Sequence, residues 1–249
     1  MIELLARAKL TWFLEITGRR EDGYHELRSE MVTIDLADRL LIEPEGDYLR
    51  LVSPDDDIAL DDTNLVARAL TLVGRRAGVT LDKHIPAGGG LGGGSADAGA
   101  ILRWAGGVSA ADALGLGGDV PFCQLGGRAL VEGAGERLTP LAFEARDVTL
   151  LLPEFGVDTR RCYQAYDELV AAREHPSGRN HLEGAATLAQ PRLGPTLAWL
   201  RATYGPEVTL AGSGSTMFFE GHLSSELEQW DVTSPEGTVR FRQTTTTPE

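Results

Sequence analysis

The segment PAGGGLGGGSAD at residues 86–97 is the most informative part of the chain, because six of the seven residues from Gly88 to Gly94 are glycine. Glycine loses more conformational freedom on folding than any other residue, so an ordered run of glycines is costly. Such a run lets backbone N–H groups converge on an anion. A helix predicted from Ser95 to Trp104 would add its positive N-terminal end. The segment therefore predicts a binding loop for a polyphosphate, with a triphosphate such as ATP as the ligand.

The loop differs from two better-known phosphate-binding motifs. The chain contains no G-x-x-x-x-G-K-[ST], which excludes a Walker loop. Gly88, Gly90 and Gly93 fit G-x-G-x-x-G, but a dinucleotide fold needs a second apolar strand ending in an acidic residue about 20 residues later. Asp112 has that spacing, yet residues 106–111 (GGVSAA) are not a convincing strand. The pattern therefore favours a kinase over a dehydrogenase.

The composition restricts the partners of this 249-residue chain. A net charge of -14 and a pI near 4.8 oppose binding to nucleic acid or to anionic membranes. No apolar run approaches the roughly 18 residues of a membrane span. Cys123 and Cys162 are far apart and do not form a disulfide framework. These features predict a cytoplasmic protein with a small-molecule substrate and neither nucleic acid nor membrane as partner. A monomer or weak homodimer is expected, although composition does not determine it.

Hydrophobic periodicity predicts a mixture of strands and helices. Strands are expected at 1–16, 31–36, 39–43, 79–85, 128–132, 148–152, 207–211 and 216–219, and helices at 64–77, 95–104, 159–173 and 193–204. The polar tail, residues 244–249, is expected to fray. A composition shift near residues 140–146 predicts two subdomains, 1–142 for ATP binding and catalysis and 143–249 at the C-terminus. We predict an α+β fold with the active site in the cleft between them.

Two charged residues are candidates for the chemistry. Phosphoryl transfer needs a group that draws the proton from the acceptor and positive charge on the moving phosphate. Asp119 is the candidate base, although an aspartate before Val-Pro is also a good helix N-cap. Lys9 is the candidate cation, with an ordinary surface lysine as the alternative. Lys9 and Lys83 are the two lysines among 23 basic residues, and Lys83 stands beside the glycine loop.

Five segments, in order along nearly the whole chain, resemble one family of kinases. They are ARAKLTWFLEITGRREDGYHEL (6–27), DKHIPAGGGLGGGSADAGAIL (82–102), LGGDVPFCQLGGRALVEGAGERLTPL (116–141), NHLE (180–183) and AGSGSTMFF (211–219). The resemblance is to 4-diphosphocytidyl-2-C-methyl-D-erythritol kinases. The glycine loop is shared across the wider galactokinase, homoserine kinase and mevalonate kinase (GHMP) superfamily, whereas GRREDGYHEL is much more specific to this member.

This resemblance implies a fold and a reaction. The fold would be GHMP-kinase-like, with an N-terminal domain like ribosomal protein S5 and a ferredoxin-like C-terminal domain. The reaction would be ATP-dependent and Mg²⁺-dependent phosphorylation of the 2-hydroxyl of 4-diphosphocytidyl-2-C-methyl-D-erythritol, in the non-mevalonate isoprenoid pathway. Two alternatives stay open: a GHMP-type kinase with a homoserine or mevalonate-like acceptor, and a non-catalytic ATP-binding regulator on the same fold.

The resemblance also implies roles for individual residues. Lys9 and Asp119 match the catalytic pair. The predicted ATP-binding residues are Lys83, Pro86, Ala87, Gly88, Gly89, Gly90, Leu91, Gly92, Gly93, Gly94, Ser95 and Ala96. The predicted substrate-binding residues are Thr11, Tyr24, His25, Tyr163, Gly212, Ser213 and Gly214. A tyrosine can stack on cytosine, and a histidine can address its hydrogen-bonding edge.

Three positions depart from the family pattern. Thr11 stands where the family usually has asparagine, Ala96 where it often has serine, and His181 where an aspartate is expected. Thr11 can donate and accept a hydrogen bond but cannot reproduce an amide. The chain is also shorter than the family pattern after Trp104, before Asp119 and at its C-terminal end, which suggests that outer helices are compacted. No metal ligands are assigned.

Overall fold

Two β-sheets with helices packed on them make up the computed structural model, which describes residues 1–52, 58–174, 176–223 and 226–248. The strands of the first sheet lie within residues 2–140, and those of the second sheet lie within residues 147–245. This arrangement confirms a mixed fold of helices and strands. The predicted boundary between residues 142 and 143 falls in the connection between the two sheets and remains a prediction.

A long antiparallel hairpin dominates the first sheet. Strand β1 (Ile2–Arg19) pairs with β2 (His25–Glu43) along its length. The two strands predicted at 31–36 and 39–43 are one continuous strand, so that prediction was wrong. Asp38 interrupts the apolar pattern, but its buried carboxylate accepts hydrogen bonds from the backbone N–H groups of His84 and Ile85. A buried carboxylate is tolerated when it is bonded in this way.

The other edge of β2 is shared by two strands. Strand β4 (Gly78–Asp82) pairs with residues 39–43, and β5 (Arg128–Gly133) pairs with residues 27–32. Strands β3 (Tyr48–Leu51) and β6 (Arg137–Pro140) complete the sheet, in the order β3-β4-β2-β5-β6. The intervening edge of β2 is therefore open to tertiary contacts, and Asp38 lies there.

The first half also contains four helices in its described part. They are α1 (Leu65–Leu72), α2 (Gly93–Trp104), α3 (Ala110–Leu114) and α4 (Val120–Leu125). Helix α2 is buried along most of its length and packs tightly against α4. A Cβ on Gly99 would lie only 2.6 Å from the carbonyl carbon of Cys123, so only glycine permits this approach. This packing holds the start of α4 beside the start of α2.

The second half forms a sheet of order β10-β11-β7-β9-β8 covered by helices. Its elements are β7 (Asp147–Pro153), α5 (Thr159–Ala171), α6 (Glu183–Ala189), α7 (Leu193–Tyr204), β8 (Thr209–Leu210), β9 (Met217–Glu220), β10 (Gln229–Ser234) and β11 (Gly237–Thr245). Leu151, Met217 and Phe241 are buried in a shared core with Cys162 of α5 and Leu200 of α7. Helix α5 is thereby fixed on the sheet, and its first turn is exposed.

The end of the chain is ordered rather than frayed, so the prediction for residues 244–248 was wrong; Glu249 lies outside the described residues. Thr244 and Thr246 are buried. The hydroxyl of Thr244 donates to Asp35, and the N–H of Thr247 donates to the carbonyl of Thr33. Threonine hydroxyls bonded to β2 allow this polar segment to be buried. Among the described helices, none combines the length and apolar character needed to cross a membrane.

Candidate active site

A cavity of about 890 Å³ opens between the two halves. Its wall combines the glycine loop, the middle of β1, the turn after β1, the start of α4, the first turn of α5 and the turn before β9. The volume is near the upper end for small-molecule sites in proteins. The cavity is therefore large enough for a nucleotide together with a second ligand.

Both halves of the molecule hold the glycine loop in place. The N–H of Lys9 in β1 donates to the carbonyl of Leu91 at 3.0 Å. On the other side, the N–H of Thr216 donates to the carbonyl of Gly89 at 3.1 Å, and that of Val157 to Gly88 at 3.3 Å. The loop is thus a fixed structure and not a free linker.

Positive φ angles explain why glycine is needed at two loop positions. Gly90 has φ +76° and Gly92 has φ +72°, a region that residues with a Cβ rarely adopt. A Cβ on Gly90 would lie 2.8 Å from the carbonyl oxygens of Ala211 and Gly214. The two glycine turns of the sequence therefore meet at close range, which their separation in the chain does not reveal.

Lys9 and Asp119 form an ion pair next to the loop. The ammonium Nζ of Lys9 lies 3.2 Å from Oδ2 of Asp119 and donates to the hydroxyl of Thr11 at 3.1 Å. Lys9 is buried, which excludes an ordinary surface lysine. Asp119 precedes α4 but makes no side-chain capping bond, and a third of its side chain is exposed to the cavity. The carboxylate is therefore available to a ligand.

Lys83 belongs to a second, deeper cluster of charges with Asp38 and Asp97. Its ammonium donates to Oδ2 of Asp38 and, at 2.5 Å, to Oδ2 of Asp97. Burial alone would lower the pKa of Lys83, but Asp97 and Asp38 outweigh burial and the net pKa is raised. Lys83 lines the cavity, yet its charge is already engaged by two carboxylates. Its predicted contact with ATP remains a prediction.

Burial raises the pKa of Asp97 to about 7; Lys83 opposes this shift and Asp38 adds to it. Between the ordinary pKa of aspartate and about pH 7, Asp97 therefore carries a proton in the folded protein and has lost it in the unfolded chain. The stability from this proton is complete below the ordinary pKa of aspartate and is lost as the pH rises through 7. Linkage gives a loss of about 1 kcal/mol between pH 6 and pH 8.

We expect Asp97→Asn to remove this pH dependence, because an amide does not titrate. The unfolding free energy of Asp97→Asn, relative to that of the parent, should rise by about 1 kcal/mol from pH 6 to pH 8. Urea unfolding at several pH values measures the difference, with Asp112→Asn as an exposed control. A difference that is independent of pH would contradict the assignment of the proton to Asp97.

Aromatic side chains lie at the other end of the cavity. The rings of His25 and Tyr163 stack with centroids 4.9 Å apart, and Nε2 of His25 lies 2.7 Å from Oδ1 of Asp167. Tyr24 also lines the cavity but is 58% exposed. Burial raises the pKa of Tyr163, so its hydroxyl stays protonated at neutral pH. The three predicted aromatic residues are therefore close together, with His25 oriented by an acid.

Asn180 fixes the turn at Gly212 and was not predicted as a site residue. Its amide nitrogen donates to the carbonyls of Leu210 at 2.9 Å and Gly212 at 2.7 Å, and its oxygen accepts from the N–H of Leu182. A Cβ on Gly212 would lie 3.6 Å from the ammonium of Lys9. The NHLE segment (180–183) was the sequence signal that could have indicated Asn180 as a site residue.

His181, the next residue, links the two halves of the molecule, because its Nδ1 accepts a hydrogen bond from the N–H of Ile16.

Most of the predicted site residues line this one cavity. These are Lys9, Thr11, Tyr24, His25, Lys83, Pro86, Ala87, Gly88, Gly89, Gly90, Gly92, Gly93, Gly94, Ser95, Asp119, Tyr163, Gly212 and Ser213. Leu91 and Ala96 instead lie in the hydrophobic core, and Gly214 packs against Leu210. Arg160 lines the cavity as well, and no sequence motif indicated it.

The family follows from comparison with known proteins. Residues 64–127 match the GHMP kinases N terminal domain. A 4-diphosphocytidyl-2-C-methyl-D-erythritol kinase from Methylibium petroleiphilum is 37% identical over 245 residues, covering 88% of this chain and 85% of the relative. The chain belongs to the 4-diphosphocytidyl-2-C-methyl-D-erythritol kinase family. The predicted small-molecule kinase is thereby confirmed.

Solved structures agree with this family. The crystal structure of a 4-(cytidine 5'-diphospho)-2C-methyl-D-erythritol kinase is 37% identical and has a TM-score of 0.67, covering 87% of this chain and 89% of that chain. A mevalonate kinase structure has a TM-score of 0.57 at 13% identity, with both chains fully covered. The second likeness concerns the fold alone. The predicted GHMP-kinase-like fold is confirmed.

Proposed function

We propose that this member of the 4-diphosphocytidyl-2-C-methyl-D-erythritol kinase family transfers the terminal phosphate of ATP to the 2-hydroxyl of 4-diphosphocytidyl-2-C-methyl-D-erythritol. One observation carries the proposal: a single cavity contains the glycine loop, the Lys9–Asp119 pair and the His25–Tyr163 stack. A nucleotide loop without an aromatic pocket would suit many kinases. The aromatic pocket favours an acceptor that carries a nucleobase over homoserine or mevalonate.

Asp119 is the proposed base. A tertiary alcohol is a poor nucleophile, so a carboxylate that accepts its proton assists the attack on the γ-phosphorus. Lys9, held between Asp119 and Thr11, pairs with the carboxylate and places positive charge beside the transferred group. The bond from the acceptor oxygen to phosphorus forms as the bond to the ADP oxygen breaks. The proton passes to Asp119.

The glycine loop is proposed to hold the triphosphate. Its bare backbone lets phosphate oxygens come within hydrogen-bonding distance of N–H groups, and the N-terminal end of α2 adds a partial positive charge. Gly92 brings the loop against Lys9, because a Cβ there would lie 3.0 Å from Cγ of that lysine. A phosphate bound at this end of the loop would therefore face the Lys9–Asp119 pair.

His25 and Tyr163 are proposed to bind the cytosine. Asp167 accepts a hydrogen bond from Nε2 of His25 when that nitrogen carries a proton, which would leave Nδ1 free to accept one from the base. The Tyr163 ring supplies a flat apolar face. Tyr24, which is largely exposed, would close over the base from the solvent side.

Mg²⁺ enters the proposal as the ion that accompanies ATP. Within residues 1–52, 58–174, 176–223 and 226–248, no group of three or more His, Cys, Asp or Glu side chains could hold a metal ion. No such cluster is therefore assigned within these residues, and no step above passes through the ion. We also propose that the protein is cytoplasmic and that it is a monomer or a weak homodimer.

An ADP-release assay tests the function. The purified protein is given Mg-ATP and, separately, the cytidine-linked methylerythritol, homoserine or mevalonate. We expect ADP release with the first acceptor alone, and a new phosphate monoester on it by phosphorus NMR. Faster turnover of homoserine or mevalonate would replace the proposal with another GHMP kinase. ATP binding without turnover of any acceptor would indicate a regulator.

A further inference from the structure

We propose that Arg160, at the start of α5, binds the diphosphate that joins the cytidine to the methylerythritol. The inference rests on the proposed function, because it concerns the acceptor named there. It goes further in assigning a specificity-determining residue that no motif of the sequence indicated. Three observations support it: the charge of the cavity wall, the position of Arg160 along that wall, and the chemistry of its side chain.

The cavity wall has little positive charge to offer. Its lysines and arginine are Lys9, Lys83 and Arg160, and its carboxylates are Asp22, Asp97 and Asp119. With all three aspartates counted as ionised and His25 as neutral, the formal charge of the wall is zero, and the proton held by Asp97 near neutral pH makes it at most one unit positive, in a protein of net charge -14. Two phosphorylated ligands must nevertheless enter together. A cation that is not already neutralised is needed to attract the second.

Among the described residues, Arg160 is the cation of the wall that has no ion-pair partner. Lys9 pairs with Asp119, and Lys83 pairs with Asp38 and Asp97. Arg160 makes no ion pair with any carboxylate in the part of the chain that the structure describes, and its side chain is exposed at the cavity. A guanidinium in this state is free to exchange water for phosphate oxygens.

The position of Arg160 matches the order of groups in the acceptor. Tyr163 lies one helical turn after Arg160, so both project from the same face of α5. On the other side, the hydroxyl of Thr159 lies 3.1 Å from that of Ser213, next to Gly212 and so close to Lys9. Along the wall, Arg160 thus stands between the cytosine pocket and the catalytic pair. The diphosphate stands between the nucleoside and the reacting alcohol in the acceptor.

The guanidinium suits this ligand chemically. Its planar fork donates two parallel hydrogen bonds to phosphate oxygens, which an ammonium cannot reproduce. Arg160 is therefore expected to hold the diphosphate and to contribute to acceptor binding rather than to the chemical step.

Arg160→Gln and Arg161→Gln form a matched pair for the test. Arg161 is the next residue of the same helix, is also exposed, and does not line the cavity. We expect Arg160→Gln to raise the KM for the cytidine-linked methylerythritol by about tenfold or more, the loss of one charged hydrogen-bonded contact. Its kcat and its KM for ATP should change by less than about threefold, which is small compared with the loss of a hydrogen bond to a charged group. Arg161→Gln should leave all three values near those of the parent, and Arg160→Lys should recover part of the loss.

Binding of two probes, CDP and cytidine, decides the point without turnover. The parent should bind CDP more tightly than cytidine, and Arg160→Gln should lose most of that preference while keeping its affinity for cytidine. Equal effects of the Arg160 and Arg161 variants, or a loss confined to ATP, would overturn the inference. A parent that binds CDP but turns over no cytidine-linked acceptor would overturn the proposed function instead, and the probe preference would still decide the role of Arg160.

Discussion

Asp119→Asn is expected to lower kcat by about a thousandfold, within the range that a positioned base contributes. The amide keeps the size of the side chain but cannot take the proton of the acceptor. ATP affinity should stay within about twofold of the parent, because in the proposed arrangement Asp119 faces the acceptor hydroxyl and not the phosphates held by the loop. The fold should persist, since Lys9 keeps its hydrogen bond to Thr11.

Steady-state ADP release and nucleotide binding by calorimetry measure the two effects of Asp119→Asn separately. Asp112→Asn is the control for loss of a carboxylate: Asp112 is exposed, bonds to Ser109 and does not line the cavity. We expect this control to match the parent. If Asp119→Asn turned over as fast as the parent, Asp119 would not be the base.

Gly92→Ala is expected to lower kcat by about tenfold, because Lys9 has to shift by a few tenths of an ångström and a displacement of a full 1 Å costs about a hundredfold. The added Cβ would lie 3.0 Å from Cγ of Lys9, 3.2 Å from its Cε and 3.7 Å from Oδ2 of Asp119. Lys9 has to move, and its pairing with Asp119 has to change. ATP affinity should also fall, because Lys9 is linked to the glycine loop. The carbonyl of Leu91 accepts a hydrogen bond from the N–H of Lys9, so a shift of Lys9 also disturbs the loop.

Gly74→Ala separates displacement of Lys9 from backbone strain. Gly74 has φ +62°, close to the φ +72° of Gly92, and a Cβ there would meet no atom within 4 Å. Both variants should lose about 1 kcal/mol of stability from the left-handed conformation. Gly74→Ala should keep full activity. If the two variants lost equal activity, strain rather than contact with Lys9 would explain the result for Gly92.

Local features of the sequence predicted much of the fold. A helix was predicted to begin at residue 64, and the side chain of Asn64 caps that helix by accepting the N–H of Val66 at 2.9 Å. The helix after the glycine loop, the strand after Gly127 and the helix ending at Tyr204 also formed as predicted. These predictions succeed because caps, breakers and apolar periodicity act over a few neighbouring residues.

The errors share a different cause. Asp38 broke the predicted second strand, although its carboxylate is satisfied by groups about 45 residues further along the chain. The threonine-rich end looked like a frayed tail, although Asp35 and Thr33 of β2 provide its partners. A polar residue in either place appears exposed until its partners are known.

The predictions for the active site divide in the same way, into those that local sequence supported and those that needed the tertiary structure. The glycine run indicated a polyphosphate, and Lys9 and Asp119 were named as candidates from the residues. The nucleobase at Tyr24 and His25 was implied by the resemblance to the kinase family. Whether Asp119 capped a helix or met Lys9 could be answered only by the 3.2 Å between them. The roles of Lys9 and Asp119 came from the resemblance to the kinase family, and the contact between their side chains makes those roles testable.

The chain sequence determined the features that depend on local backbone freedom and local pattern: a glycine loop before a helix, most of the elements, and the motifs that identify the family. The tertiary structure decided which charges are neutralised: Lys83 is enclosed by Asp38 and Asp97, Lys9 faces Asp119, and Arg160 remains open to the cavity. The physical reason is that charge pairing and burial depend on distance in space, which only the packing of the two halves sets.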